Sequence, residues 1–172
     1  IGTSSGTSSN YDSIVGERGY EGNWADGALK TFVPPGEFDP YFIFAIMREE
    51  SRFFSAAYST AGAKGLMQLM PSTARMVAKH NGMAYNEGLL HTPEFNIPIG
   101  TLYLKRVLEQ FDGNPLYAAA AYNAGPGNAR RWVSRYGQLP LDEFVERIPF
   151  GETQRYVKRV FLAYAVYTKL YR

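Results

Sequence analysis

The chain has 172 residues, a formal net charge of +2 and no cysteine. This length fits one domain, or one domain with a short appendage, and the absence of cysteine excludes disulfides and thiolate-based zinc or redox sites. The hydrophobic fraction of 45% excludes a wholly disordered chain, the small net charge gives no argument for a nucleic-acid partner, and no apolar run approaches the roughly 18 residues of a membrane-spanning helix.

The first 39 residues differ in composition from the rest. Residues 1–10 contain eight glycine, serine or threonine residues and are predicted to form a flexible tail. Residues 11–38 are predicted to be an acidic, irregular lead-in with a short helix near residues 24–31. Residues 1–39 hold 2 basic and 6 acidic side chains, a net charge of −4, and residues 40–172 hold 16 and 10, a net charge of +6. The larger part suits an anionic polymer, although a mixed, solvated surface also explains this charge.

Helix signals dominate from Asp39 onward. Asp39 is a capping residue and Pro40 is tolerated at the first helical position, so a helix is predicted to begin there, and its apolar residues on every face are typical of a buried helix. Residues 52–65 are predicted to form loops with at most a small sheet. Further helices are predicted over residues 71–80, from Pro98 through Phe111, and over 116–122, 128–135, 141–147 and 152–170. The predicted fold class is mainly α.

Glu50 lies at the end of an apolar stripe. Ile43, Ile46, Met47 and Glu50 occupy positions i, i+3, i+4 and i+7 of the first helix, which share one face. Desolvation at such a position raises the pKa of a carboxyl group, which can then donate a proton near neutral pH. Glu49 has an equal claim from the pattern, and the ordinary alternative is a glutamate that turns to solvent or pairs with a neighbouring arginine.

Polar groups recur in three other segments. An amide inside an apolar run offers a ligand both a donor and an acceptor, and side chains at a helix end can face a cleft, but core packing or helix capping also explains each of them. The residues concerned are Gln68 within residues 65–71, Tyr122 and Asn123 before residues 125–127, and Glu152 with Tyr156 four positions later.

The chain offers little to hold a metal ion or a cofactor. His80 and His91 are its only histidines, and His91 with Glu94 three positions later does not make a site. No glycine-rich loop of the P-loop or dinucleotide-binding type occurs. We therefore expect no metal and no cofactor.

The order of these segments is more specific than any one of them. The chain resembles the soluble lytic transglycosylase family from about residue 40 to residue 171 through four motifs. They are Glu50-Ser51 followed by Ser59, residues 62–63 and residues 65–71; Asn96-Ile97 with Ile99-Gly100; residues 121–127; and residues 148–150 with Glu152-Thr153 and Tyr156-Val157. The resemblance implies a lysozyme-like α+β fold, with helices around a saccharide-binding groove, and a catalytic domain over residues 39–172.

The resemblance also implies an activity. The family cleaves the β-1,4 bond between N-acetylmuramic acid and N-acetylglucosamine in peptidoglycan, without net addition of water, and leaves a 1,6-anhydro end. Its single catalytic carboxyl, acid first and base afterwards, falls on Glu50 rather than Glu49. Residues 52–67 contain no aspartate or glutamate, although many hydrolytic relatives keep a second carboxylate there. This absence favours a transglycosylase over a hydrolytic muramidase. It leaves Glu87, Glu94 and Glu152 open as carboxylates that folding could bring near Glu50.

By position, the resemblance implies a set of substrate-binding residues. Tyr122 is expected to lie close to Glu50 and to hold it, while Glu152 and Tyr156 are expected to contact saccharide from the last helix. The whole set is Ser51, Ser59, Met67, Gln68, Met70, Tyr122, Asn123, Glu152 and Tyr156. Phe54-Ser55 stands where the family commonly has Asn-Pro, which alters the loop after Glu50.

The expected partner is the glycan strand of peptidoglycan, and neither nucleic acid nor a membrane-spanning segment is expected. The positive charge of residues 40–172 suits a polymer that bears lactyl and peptide carboxylates. Residues 1–39 are a candidate contact for proteins of the cell envelope, and a periplasmic or envelope location follows from the substrate. Two alternatives stay open: a hydrolytic muramidase on the same fold, and a non-catalytic peptidoglycan-binding module.

Overall fold

Helices make up most of the chain that the structure describes. The computed structural model describes residues 39–171, so the tail at residues 1–10 and the lead-in at residues 11–38, with its predicted helix, lie outside the described residues. Residues 39–171 form seven α-helices and one 3-10 helix. They are α1 (Pro40–Ser51), α2 (Pro71–His80), the 3-10 helix (Glu87–His91), α3 (Pro93–Glu109), α4 (Pro115–Ala124), α5 (Pro126–Tyr136), α6 (Leu141–Glu146) and α7 (Gly151–Tyr171).

Capping side chains and prolines set several helix starts. Asp39 caps α1 by accepting a hydrogen bond of 3.1 Å from the backbone N–H of Tyr41, and Pro40 occupies the first position. Asn114 caps α4 in the same way. Such caps satisfy N–H groups that have no partner within the helix. The helices predicted over residues 71–80, 141–147 and 152–170 are confirmed to within about one residue at each end.

The prediction that a helix begins at Pro98 is wrong. Pro98 lies inside α3, which begins at Pro93. A proline inside a helix loses one backbone hydrogen bond and crowds the carbonyl group four residues earlier, which here belongs to Glu94 in the first turn. The fully buried side chains of Ile97 and Ile99 hold this part of α3 in the core in spite of that loss.

α1 packs against α7 along most of its length. The ring of Phe42 meets that of Tyr164 edge-on at 5.6 Å, and the ring of Phe44 meets that of Tyr167 at 6.0 Å. Such aromatic contacts add about 0.5–1.5 kcal/mol each beyond the burial of their surface. α7 also packs against α4, and α3 packs against α2 and α4. α7 is thus the helix that links the buried α1 to the rest of the bundle.

The segment between α1 and α2 supplies the small β region. Isolated bridges pair Tyr58 with Lys64 and Lys64 with Leu69. Arg52 and Phe53 both have left-handed backbone angles, with φ of 51° and 62°, so the chain turns sharply as α1 ends. The prediction of a mainly α fold with at most a small β region is confirmed. Within residues 39–171, no helix has the length and apolar character needed to cross a membrane.

Candidate active site

Glu50 lies in the last turn of α1, where the buried face of the helix reaches a partly accessible surface. Ile43, Ile46 and Met47, which share its stripe, are fully buried, whereas Glu50 keeps partial contact with solvent. Burial is the main cause that raises the pKa of Glu50 from its ordinary value of 4.5 to about 7. A carboxyl group with this pKa is protonated in a substantial fraction of molecules at neutral pH, as a general acid requires.

Tyr156 of α7 is the hydrogen-bond partner of Glu50. Its hydroxyl donates to Oε1 of Glu50 at 2.7 Å, and its side chain is buried. This bond lowers the pKa of Glu50, which opposes burial, while the charges of Glu49 and Glu152 raise it. Burial and the Glu50 charge raise the pKa of Tyr156 well above its ordinary value, so the hydroxyl stays protonated and remains a donor.

Tyr156→Phe is expected to raise the pKa of Glu50 by about one unit, because the variant loses a hydrogen bond that stabilises the charged carboxylate. The measurement is a carbon-13 NMR titration of the glutamate carboxyls, in which the Glu50 signal is identified by its absence from Glu50→Gln. Tyr164→Phe is the matched control, since the Tyr164 hydroxyl donates to the carboxylate of Asp39 at 2.6 Å, at the other end of α1. A fall in the pKa of Glu50, or an equal rise in the control, contradicts the prediction.

Glu49 and Glu50 have different surroundings in the structure, although the helical pattern alone does not distinguish them. Glu49 is held by two arginines: Nη1 of Arg48 lies 2.7 Å from its Oε1, and Nε of Arg159 lies 2.5 Å from its Oε2. Within residues 39–171, Glu50 has no ion-pair partner. Both carboxylate oxygens of Glu49 are thus engaged by guanidinium groups. Of the two, Glu50 is therefore the candidate proton donor.

The other carboxylates that the sequence left open lie in different surroundings. Glu87 forms an ion pair of 2.7 Å with Lys64, which lowers the pKa of Glu87. Glu152 is exposed in the first turn of α7 and is close enough to Glu50 for its charge to raise the pKa of that residue. Glu152 is thus an acidic group near Glu50, on the same helix as Tyr156.

Asn96 of α3 fixes the loop that precedes α2. It is fully buried, its Oδ1 accepts from the N–H of Met67 at 2.8 Å, and its Nδ2 donates to the carbonyls of Lys64 and Leu90 at 3.0 and 2.8 Å. In the sequence, Asn96 is part of a motif but has no predicted role. An asparagine between apolar residues on a helix is the signal that points to it, because a buried amide needs several partners.

The loop residues assigned to substrate divide into accessible and buried ones. Met70 is exposed, and Gln68, partly exposed, uses its Nε2 to donate to the carbonyls of Gly65 and Ala57 at 2.9 and 3.2 Å. Met67 is fully buried. Its side chain lies in the core, and its assignment to the substrate-binding set stays a prediction.

Tyr122 of α4 holds the same loop from the other side. Its hydroxyl donates to the carbonyl of Met67 at 2.8 Å, and the charge of Glu50 is one of the causes that raise its pKa. Tyr122 thus lies near Glu50, but its hydroxyl donates to the loop, whereas the hydroxyl of Tyr156 donates to the Glu50 carboxyl. Asn123, the next residue, accepts through Oδ1 from the hydroxyl of Thr153 of α7 at 2.7 Å.

The two serines of the predicted set have local partners. The hydroxyl of Ser51 donates to the carbonyl of Met47 within α1, at 3.1 Å. That of Ser59 accepts from the N–H of Ala63, at 2.9 Å, and closes the turn in the small β region. Both side chains are partly exposed. Each therefore stabilises the backbone at a position that solvent can reach.

The sequence matches a known protein family. A family model described as the transglycosylase SLT domain matches residues 35–145. The chain belongs to this family. The match covers α1 to α5 and most of α6, and it ends before α7, which supplies Tyr156.

Individual relatives extend the similarity. The soluble lytic murein transglycosylase of Escherichia coli (strain K12) is 43% identical over 146 residues, which are 83% of this chain and 22% of that protein. The X-ray structure of an inactive mutant of the lytic transglycosylase Slt from Pseudomonas aeruginosa has a TM-score of 0.77 and 40% identity, covering 84% of this chain and 23% of that one. The complex of the 70-kDa soluble lytic transglycosylase with bulgecin A has a TM-score of 0.80 and 39% identity, covering 84% and 24%. This SLT-domain chain thus spans less than a quarter of the length of these relatives.

Proposed function

We propose that this SLT-domain chain is a peptidoglycan lytic transglycosylase that cleaves the β-1,4 bond between N-acetylmuramic acid and N-acetylglucosamine. The observation that carries the proposal is Glu50, a partly accessible carboxyl with a pKa of about 7 and no ion-pair partner among the described residues. The relative from Escherichia coli is named for the same activity on murein. Saccharide cleavage by one carboxyl needs a group that both donates and accepts a proton near neutral pH.

The proposed reaction uses Glu50 twice. Its protonated carboxyl first gives its proton to the glycosidic oxygen as the bond from that oxygen to the anomeric carbon breaks. The O6 hydroxyl of the muramic acid residue then bonds to the anomeric carbon and passes its proton to the Glu50 carboxylate. The acid is regenerated, a 1,6-anhydro end is formed, and no water is consumed. Tyr156 supports the intervening carboxylate, because its hydroxyl donates to Oε1.

The carboxylates around Glu50 bear on the choice between a one-carboxyl and a two-carboxyl mechanism. Glycosidases that hydrolyse with two carboxyls use a second one about 5–10 Å away. Glu49 forms ion pairs with Arg48 and Arg159. Glu152 on α7 is the other acidic residue whose charge acts on Glu50. We assign saccharide contacts to Glu152 and to the accessible residues of the loop and helix ends, namely Ser51, Ser59, Gln68, Met70 and Asn123.

The proposed substrate also fixes the proposed place of action. Peptidoglycan strands lie in the cell envelope, so we place the chain in the periplasm or at the envelope. The net charge of +6 on residues 40–172 suits a polymer that bears carboxylates. Contact of residues 1–39 with other envelope proteins is part of the same proposal.

Mass spectrometry of fragments released from purified sacculi tests the function. Muropeptides with anhydro ends, one water lighter than the products of hydrolysis, are the expected result. Fragments with hydrated reducing ends would instead mean a hydrolytic muramidase and would direct attention to Glu152 as a second carboxyl. Binding to sacculi without any release would mean a peptidoglycan-binding module. Either of these results overturns the proposed reaction.

A further inference from the structure

Three charged side chains next to Glu50 form an ion triad that the proposed reaction does not use. The triad consists of Arg48 and Glu49 of α1 and Arg159 of α7, joined by the two contacts of 2.7 and 2.5 Å to Glu49. The Glu49 side chain is 7% exposed, whereas those of Arg48 and Arg159 are 35% and 53% exposed. A carboxylate this buried needs counter-charges, and the triad supplies two of them.

The contact between Glu49 and Arg159 lies beside the hydrogen bond between Glu50 and Tyr156. Glu49 and Glu50 are consecutive on α1, and their partners Tyr156 and Arg159 are three residues apart on α7, which places them on one face of that helix. The two helices are therefore tied by two adjacent links, one from each glutamate. Rotation or sliding of α7 against α1 that breaks one link also disturbs the other.

Glu49 also determines part of the charge around Glu50. The groups that act on Glu50 are Glu49 on its own helix and Glu152 and Tyr156 on α7, and both carboxylates among them are negative; the charge of Glu50 in turn acts on Tyr122 of α4. Arg48 and Arg159 offset the charge of Glu49. The balance of charge beside the reacting carboxyl thus depends on both arginines that flank Glu49.

We propose that the Arg48–Glu49–Arg159 triad positions Glu50 for the reaction, by holding α1 against α7 and by setting the charge next to the Glu50 carboxyl. The inference rests on the proposed function, in which Glu50 must begin each cycle protonated. Glu49 and Arg159 are positioning residues, since neither is required to touch substrate.

Loss of the central carboxylate and loss of a flanking arginine are expected to have opposite effects on the pKa of Glu50. In Glu49→Gln a negative charge is lost and two arginines stay, so the pKa of Glu50 falls. In Arg159→Met the remaining Glu49 charge is less offset, so the pKa of Glu50 rises. We expect shifts of roughly half a unit in each direction, the size that a neighbouring, partly solvated charge produces. The alkaline limb of kcat/KM against pH shifts with them, to lower pH in Glu49→Gln and to higher pH in Arg159→Met.

Lys158→Met provides the matched control. Lys158 is the neighbour of Arg159 on α7 and forms an ion pair of 2.6 Å with Glu146, at a site where both side chains are exposed. Its loss removes the same charge from the same helix, without touching the triad, and is expected to leave the titration of Glu50 unchanged.

The pKa of Glu50 is read directly by carbon-13 NMR titration of its carboxyl, which requires no catalytic turnover. Failure of the proposed function and failure of this inference are therefore separable: an inactive chain whose Glu50 titrates with opposite shifts supports the triad and overturns the activity. Shifts in the same direction in both variants, no shift, or an equal shift in Lys158→Met overturn the inference. If Glu49→Gln does not fold, the half-exposed Arg159→Met variant still decides by the sign of its shift.

Discussion

Glu50→Gln is expected to reduce the release of anhydro-muropeptides from sacculi by about a thousandfold or more. The amide carries no acidic proton for the glycosidic oxygen and cannot take the proton of the attacking hydroxyl, and positioned acid–base groups contribute about 10²–10⁴ in rate. Binding to sacculi is expected to stay within a few-fold of the native chain, because the Tyr156 hydroxyl can still donate to an amide oxygen. Initial rates of fragment release, with sacculus binding measured in parallel, provide the check.

Glu49→Gln is the matched control for this loss. It makes the same chemical change on the neighbouring residue of α1, in the carboxylate that Arg48 and Arg159 already occupy. It is expected to lose far less activity than Glu50→Gln at its optimal pH, through its effect on the position of Glu50, and to have a shifted pH profile. Comparable losses in both variants would contradict the assignment of Glu50 as the acid.

The same Glu50 variant is expected to be more stable than the native chain at high pH. The folded state raises the pKa of Glu50 from 4.5 to about 7, so it holds the proton more tightly than the unfolded state does. The stability that Glu50 contributes is fully present below pH 4.5 and is lost as the pH rises to about 7, up to roughly 3 kcal/mol in total. Glutamine does not ionise. Urea unfolding is expected to show a higher free energy of unfolding for Glu50→Gln than for the native chain at pH 8, but not at pH 4.5. An equal increase at both pH values would contradict this.

Gly65→Ala is expected to have the largest effect on folding, a loss of about 3 kcal/mol or more in the free energy of unfolding. Gly65 has a φ of +78°, and a Cβ there would overlap the carbonyl oxygen of Leu90 and the side chain of Asn96. The Leu90 oxygen is backbone, so it cannot move aside as a flexible side chain does. Because Asn96 also binds Met67, the displacement would reach the loop beside Glu50. Urea unfolding measures the stability, and sacculus digestion measures the activity.

Gly113→Ala separates crowding from backbone strain. Gly113 has nearly the same φ, +75°, but a Cβ there would meet no atom within 4 Å. Left-handed backbone alone costs an alanine about 1–2 kcal/mol, so the control is expected to lose only that amount and to keep its activity. If the two variants were equally destabilised, close packing at Gly65 would not be what makes glycine necessary.

The local sequence was sufficient to predict most of the helices. Capping residues and prolines act within one helical turn, so Asp39 with Pro40 and the proline at position 71 marked the starts of α1 and α2. Pro98 misled the prediction because the cost of a proline inside a helix was offset by burial of its neighbours in the core. That burial depends on helices distant in sequence.

The apolar stripe of α1 was likewise sufficient to predict that a carboxyl at its end would be desolvated, and Glu50 is the residue that lies there. The stripe does not distinguish Glu50 from Glu49, since adjacent side chains at a helix end are both near the boundary. Only the packing of α7 does so: it brings Arg159 to Glu49 and Tyr156 to Glu50, across more than 100 residues of chain. The sequence by itself determined where a perturbed acid could arise, because hydrophobic periodicity is local. The tertiary structure decided which carboxyl it is, because pairing and desolvation depend on groups that meet only when the chain has folded.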